Sequence, residues 1–450
     1  MVKIKFSIFV ATLFFLQNMQ AQQEMGLHSM RDVWNINQTN PAFMQDYKFV
    51  VGLPSMRDNL YLTGPTYGDF FVEQDGKTLI DFNQAIAAMD EENVMRNDFQ
   101  IQTLSFAFRA NNLMLSLGHT ARVFAFGKYN RALPQVIYQG NAQFIGQTVD
   151  LSNEFVINSF NEYALGAAYR FGKITFGAKA KYLSGFRSAA TDKDRNSATL
   201  YTDSDIYQLT LTSDYRLNSS GTIDFNGFDE FDIDFELDKA GNELFTENTG
   251  WAFDFGATVD LTEKLTIAAS ILDIGAIEWS ENTRNYTSSG QFTYNGLDIS
   301  EALIGSESDD EFGNALDTLE AIFRATETNE SYTVNLPTKM YVSGRYEVTE
   351  KLAVGAAFFT EKYRDENFKA LSVSGRYQVV KPLTIGASYT TLLEEDKQFN
   401  LGLNATIQLG PVQIFGTTDN VISLINTDDA HYFSGRLGLN LMFGKITEQE

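Results

Sequence analysis

Five arginines sit beside an aromatic residue within alternating apolar and polar runs: Arg109 after Phe108, Arg170 after Tyr169, Arg216 after Tyr215, Arg345 before Tyr346 and Arg376 before Tyr377. Successive side chains of an extended chain point to opposite faces. The rings therefore share one face and the guanidinium groups the other, forming an arginine layer. Two chemistries are open to such a layer. It can bind anions or dock an acidic segment, because the planar fork takes carboxylates in bidentate fashion. Alternatively, carboxylates of the same wall, such as Asp214, Asp254, Asp260 and Glu347, neutralise it. A second charged row runs through 221–238, where Asp224, Asn226, Glu230, Asp232, Asp234, Glu236 and Asp238 oppose Ile223, Phe225, Phe231, Ile233, Phe235 and Leu237. Its oxygens suit Ca²⁺, but the spacing matches no EF-hand loop, and carboxylates along a solvated strand face read the same way.

Catalytic chemistry finds little to stand on. The histidines, His28, His119 and His431, are far apart in sequence, and neither a zinc-type HxxxH nor a Gly-x-Ser-x-Gly element occurs. The chain has 0 Cys, which excludes disulfides and thiolate metal sites. The reading is a non-enzymatic protein with no catalytic, cofactor-binding or metal-binding residues. A net charge of -24 argues against nucleic acid as a partner, since that contact depends on Lys and Arg neutralising phosphates.

Strands must position these groups. Period-2 alternation dominates, as in Phe399, Leu401, Leu403, Ala405, Ile407 and Leu409 against Asn400, Gly402, Asn404, Thr406 and Gln408. Short connections at 110–112, 171–173, 262–264, 349–351, 380–382 and 410–411 take turns with longer polar ones, as a membrane barrel requires of its two rims. Outward aromatics near the short turns (Phe108, Tyr169, Phe171, Tyr215, Tyr346, Tyr377 and Phe443) form the pattern of an interfacial girdle.

The expected fold is thus all-β, a transmembrane antiparallel β-barrel of about 16 strands with 14 as the alternative. The strands are placed near 46–54, 99–109, 112–126, 156–170, 173–186, 204–217, 221–238, 250–261, 264–275, 332–347, 351–362, 367–379, 382–392, 397–409, 411–418 and 431–443. Up-and-down parity demands the acidic strand at 221–238, because 204–217 and 250–261 would otherwise both run downward. A short amphipathic helix is expected within 80–95.

Lys3, Lys5 and the apolar run Phe6 to Leu16, ending near Ala21, read as a signal peptide too short to span a bilayer. The chain then divides into a signal peptide at 1–21, a plug-like segment with a first strand and long loop at 22–98, a barrel at 99–444 and a tail at 445–450. The expected location is the outer membrane after signal-peptide cleavage, with its lipid as a partner.

Asn40-Pro41-Ala42-Phe43, the run Phe49 to Pro54, Gly250 to Ala257, Ala269 to Gly275 and Ile277-Glu278-Trp279 together resemble an uncharacterised group of Bacteroidetes outer-membrane proteins. That group is similar to the long-chain fatty-acid transporter barrels and to barrels of the type IX secretion system. The resemblance implies an N-terminal plug, with Asn40, Pro41 and Ala42 as its motif, and fourteen strands in the fatty-acid transporter relatives. It names a small hydrophobic ligand or, as the alternative, envelope and secretion-machine proteins as partners.

Overall fold

Alternating sequence becomes strand almost wherever it occurs. The computed structural model describes residues 25–74, 77–225, 231–233, 244–294, 326–393, 399–423, 428 and 430–446. The expected signal peptide lies outside them, as do Asp234, Glu236, Asp238 and residues 447–450.

Fourteen antiparallel strands close into a barrel. In chain order they are β1 (Tyr47–Leu62), β2 (Glu92–Ala110), β3 (Leu113–Asn130), β4 (Asn153–Phe171), β5 (Ile174–Thr202), β6 (Thr249–Asp260) and β7 (Leu265–Trp279). They continue with β8 (Tyr332–Asn335 and Thr338–Glu347), β9 (Leu352–Tyr363), β10 (Glu366–Val380), β11 (Leu383–Leu392), β12 (Phe399–Leu409), β13 (Val412–Thr418) and β14 (Tyr432–Lys445). Each pairs with its chain neighbours, and β14 closes the ring on β1 in a register running from Tyr47↔Lys445 to Tyr61↔Tyr432. Closure removes both edges of the barrel sheet itself.

All six short connections fall at one end, hereafter the turn rim, and the longer ones at the other, the loop rim. The first is a tight turn in which Asn111 takes φ 53°, a left-handed backbone that asparagine tolerates.

The count of sixteen is therefore wrong and fourteen is right. Both surplus strands lie off the ring. Residues Leu209–Ser220 do form a strand, but it folds back along the overhanging half of β5 (Ser188↔Ser220 to Thr202↔Leu209) and then pairs with Thr283–Tyr294. β5 runs for 29 residues while its pairing with β6 ends at Ser184, so its far half overhangs the loop rim. The acidic segment contributes only a small hairpin, Ile223–Phe225 against Phe231–Ile233, which places Asp232 opposite Asp224 and outside the barrel sheet. Parity is satisfied without either, because β5 ascends and β6 descends beside it from Ser184↔Thr249 to Ile174↔Val259.

Outside the ring lies an apolar band that includes Leu115, Leu117, Leu165, Phe176, Trp251, Val373 and Leu403, all exposed. Phe108, Tyr169, Phe171, Tyr346, Tyr377 and Phe443 extend it to the turn rim. Tyr215 is the exception: it belongs to the folded-back strand and donates to Asn153 Oδ1 at 2.9 Å. The helix expected within 80–95 occupies Phe82–Ala87, capped by Asp81 accepting from the backbone N–H of Asn83 and Gln84.

Candidate functional site

The inside of the ring is filled in three layers. Nearest the turn rim runs the segment 25–46, with a short helix at Met25–Ser29 and a 3₁₀ turn at Trp34–Gln38. It bonds to strands on every side. Trp34 Nε1 donates to Ser105 on β2 (2.9 Å), Lys179 Nζ on β5 to the Asn37 carbonyl (2.6 Å), Ser270 Oγ on β7 to the Thr39 carbonyl (2.7 Å) and Asn440 Nδ2 on β14 to Asn35 Oδ1 (3.0 Å).

Asn40, Pro41 and Ala42 form its tightest corner. Asn40 Oδ1 accepts from the Ala42 N–H at 2.8 Å, while its Nδ2 donates to the Ala269 carbonyl at 3.0 Å. Two wall glycines admit this corner. A Cβ on Gly256 would lie 2.0 Å from Asn40 Oδ1, and one on Gly177 would lie 2.3 Å from the Pro41 carbonyl carbon. Only a residue without a side chain fits at such an approach.

Four of the five expected arginines meet this segment or its surroundings at the turn rim. Arg109 donates to the Gln45 carbonyl (2.7 Å) and pairs with Asp46 (3.1 Å). Arg345 pairs with Glu347 (2.7 Å) and donates to the Ser29 carbonyl (3.2 Å). Arg376, buried, pairs with Asp32 at 3.0 Å. Arg170 pairs with Asp260 on the wall at 2.7 Å. Arg216 is not among them, because its strand lies off the ring, where it pairs with Glu330 at 2.8 Å. Of the wall carboxylates considered as neutralisers, Asp260 and Glu347 serve, whereas Asp214 pairs with Arg195 and Asp254 with Lys181.

Above the segment lies a lattice of buried charge. Lys339 Nζ is 2.7 Å and Arg57 Nη1 3.3 Å from Asp98 Oδ2. Arg122 spans Glu162 (2.9 Å) and Asp273 (3.2 Å), Lys181 joins Asp273 (2.6 Å) to Asp254 (2.8 Å), and Arg96 pairs with Glu361 at 2.5 Å. With Lys179 added, six cations face five carboxylates drawn from nine strands. Removing one member strands its partners in a low-dielectric interior, at a cost of about 3–5 kcal/mol.

Under the loop rim the lining turns apolar. Phe124 and Phe126 of β3, Phe160 of β4, Trp279 of β7, Tyr363 of β9 and Phe368 of β10 are buried in one cluster. Tyr363 packs edge-on to Phe124 and Phe126, with ring centroids 4.8 and 5.2 Å apart.

A family model matches residues 41–419, a span that opens at Pro41 in the docked corner. The chain belongs to the family of unknown function DUF5723. No curated protein matches it. This DUF5723 chain is similar to the toluene transporter TbuX of Ralstonia pickettii, with TM-score 0.45 and 10% identity over 92% of this chain and 94% of that one. It is also similar to the monoaromatic hydrocarbon channel CymD, at 0.43 and 9% over 96% and 99%. A further similar structure is the toluene transporter TodX of Pseudomonas putida, at 0.38 and 10% over 94% and 93%.

In this DUF5723 chain the charged lattice and the aromatic layer are the site features that sequence reasoning missed. The signal was present in β3, where Arg122, Phe124 and Phe126 follow one another on the inward parity.

Proposed function

We propose that the chain is a non-enzymatic outer-membrane channel for small hydrophobic molecules, closed by residues 25–46 acting as a plug. The leader at 1–21 would direct its export, and the exposed apolar band with its aromatic fringe would face lipid. The observation that carries the proposal is the aromatic layer inside the barrel. Lumens of membrane barrels are lined with polar groups by default, so six large apolar side chains turned inward at the loop rim call for a reason. An apolar solute leaving outer-membrane lipid or water finds there the burial that a wet pore denies it, at roughly 25 cal/mol per Å² of apolar surface covered. Below that layer the charged lattice and the plug bar its way, so passage requires the plug to shift.

Trp279 lies within the aromatic layer, while Trp34 and Trp251 lie elsewhere. In a W34F/W251F protein, Trp279 emission reports on the layer alone. Small aromatic and aliphatic hydrocarbons should change it saturably, and sugars of similar size should not. Absence of any response across such a panel, together with no hydrocarbon uptake into liposomes carrying the protein, sinks the proposal.

A further inference from the structure

A second site is built into the turn rim, between the segment 25–46 and the wall of β8, β9 and β10. The inward side chains of that wall are small: Ser343 on β8, Ala353, Gly355 and Ala357 on β9, and Ser372 and Ser374 on β10. They leave a small cavity, partly open to solvent. Three guanidinium groups, Arg31, Arg345 and Arg376, line it.

The charges around the cavity do not cancel. Asp32 answers Arg376 and Glu347 answers Arg345. Arg31 has neither an ion pair nor a guanidinium hydrogen bond among the described residues, and rests instead with its guanidinium carbon 3.5 Å above the Phe43 ring centroid. Beside it, Arg376 is 4% exposed, and its Nη1 is buried without an acceptor. A buried, unpaired guanidinium nitrogen forfeits a charge-assisted hydrogen bond, a cost native interiors normally avoid. Further donors are at hand. Ser372 Oγ accepts from Thr390 Oγ1 at 2.9 Å, leaving its own proton free, and the Ser374 hydroxyl lines the same space. Nearby His28 has both ring nitrogens engaged, Nδ1 by Thr39 and Nε2 by Ser343, and its burial disfavours the charged ring, so it adds no charge of its own.

We propose that this cavity binds a phosphate group, held by Arg31 with the Ser372 and Ser374 hydroxyls as additional donors. One tetrahedral oxyanion would neutralise Arg31 and tie the N-terminal segment to β10. The proposal stands on these residues alone, whether or not the barrel carries an apolar molecule.

Calorimetric titration of the full chain in neutral detergent tests it, with chloride at equal ionic strength as reference. Inorganic phosphate is titrated in one arm and short-chain phosphatidic acid, against phosphatidylcholine, in another. Saturable binding of inorganic phosphate supports the site with a soluble source. Binding of phosphatidic acid alone supports it with a lipid headgroup as the source. In either case R31Q should weaken binding by about tenfold or more, as expected for loss of a charge-assisted contact. S374D, which places a carboxylate in the cavity, should abolish binding, and both variants should keep the heat-modifiable gel migration of a folded barrel. No saturable binding by the wild-type chain in either arm overturns the proposal. So does unchanged affinity in folded R31Q.

Discussion

Lys339 and Asp98, 241 residues apart, meet at 2.7 Å in the middle of the barrel, and the same Asp98 oxygen takes Arg57 at 3.3 Å. One carboxylate thus holds cations from β8 and β1 against β2. Asp98→Asn keeps the shape but removes the charge, leaving both cations underpaired in a buried interior. The expected loss is about 3–5 kcal/mol, read as a lower denaturant midpoint for unfolding from liposomes. A compensated double variant, D98N/K339M, should recover part of it. A midpoint equal to wild type for D98N would mean that water, and not this carboxylate, balances the lattice.

The Asn40 corner depends on absent side chains opposite it. Gly256→Ala puts a methyl group 2.0 Å from Asn40 Oδ1, so the corner must lift while the wall strands keep their ladder. Overpacking of this kind costs about 1–3 kcal/mol. It should fall on the docked segment alone: protease cuts within 25–46 appear sooner, single-channel conductance rises and heat-modifiable migration stays intact. Equal protease resistance in G256A and wild type would show that the corner does not hold the segment.

Much of this was legible in the residues, and the illegible parts share a cause. Alternation tells which face a side chain takes, so Phe108, Tyr169 and Tyr377 could be placed outside and Arg109, Arg345 and Arg376 inside. It does not tell which strand lies alongside. Leu209–Ser220 alternates equally well against a barrel neighbour or an overhang, and this sent Arg216 to the wrong end and raised the strand count. Contacts across the lumen have no local trace either. Arg122 could be read as inward, but nothing near it announces Asp273, 151 positions away. The Asn-Pro-Ala element stood out as a motif, whereas the role of Gly177 and Gly256 in making room for it required the fold.

His28 makes docking of the N-terminal segment sensitive to acid. Burial, and secondarily the nearby Arg31 charge, lower its pKa from 6.5 to about 3. The ring is stacked on Tyr341 at 4.7 Å, and Arg345 and Arg376 line the cavity beside it. Above pH 6.5 the ring is neutral whether the segment is docked or free, and nothing is lost. Between pH 6.5 and 3 only the free segment takes up the proton, so docking weakens steadily, by up to roughly 5 kcal/mol at the lower limit. Limited proteolysis with an acid-active protease should release fragments of 25–46 increasingly from pH 6 to pH 4. His28→Gln, which cannot titrate, should flatten that profile. A profile of the same slope in H28Q would assign the acid response elsewhere.

The arginine layer should divide by burial, not by sequence position. Arg170 and Asp260 form their 2.7 Å pair with side chains 44% and 29% exposed, where solvent and salt leave an ion pair worth less than about 1 kcal/mol. Arg376 is 4% exposed on its side chain and reaches both Asp32 and Thr406, so truncation loses charge-assisted bonds worth about 1.5–3 kcal/mol and frees the segment at Asp32. Arg170→Ala should leave the temperature of segment release within experimental error of wild type. Arg376→Ala should lower it and raise conductance. Because both residues carry the same charge near the same rim, a merely electrostatic collar would respond alike to the two changes; equal effects would therefore remove the case that Arg376 latches the segment.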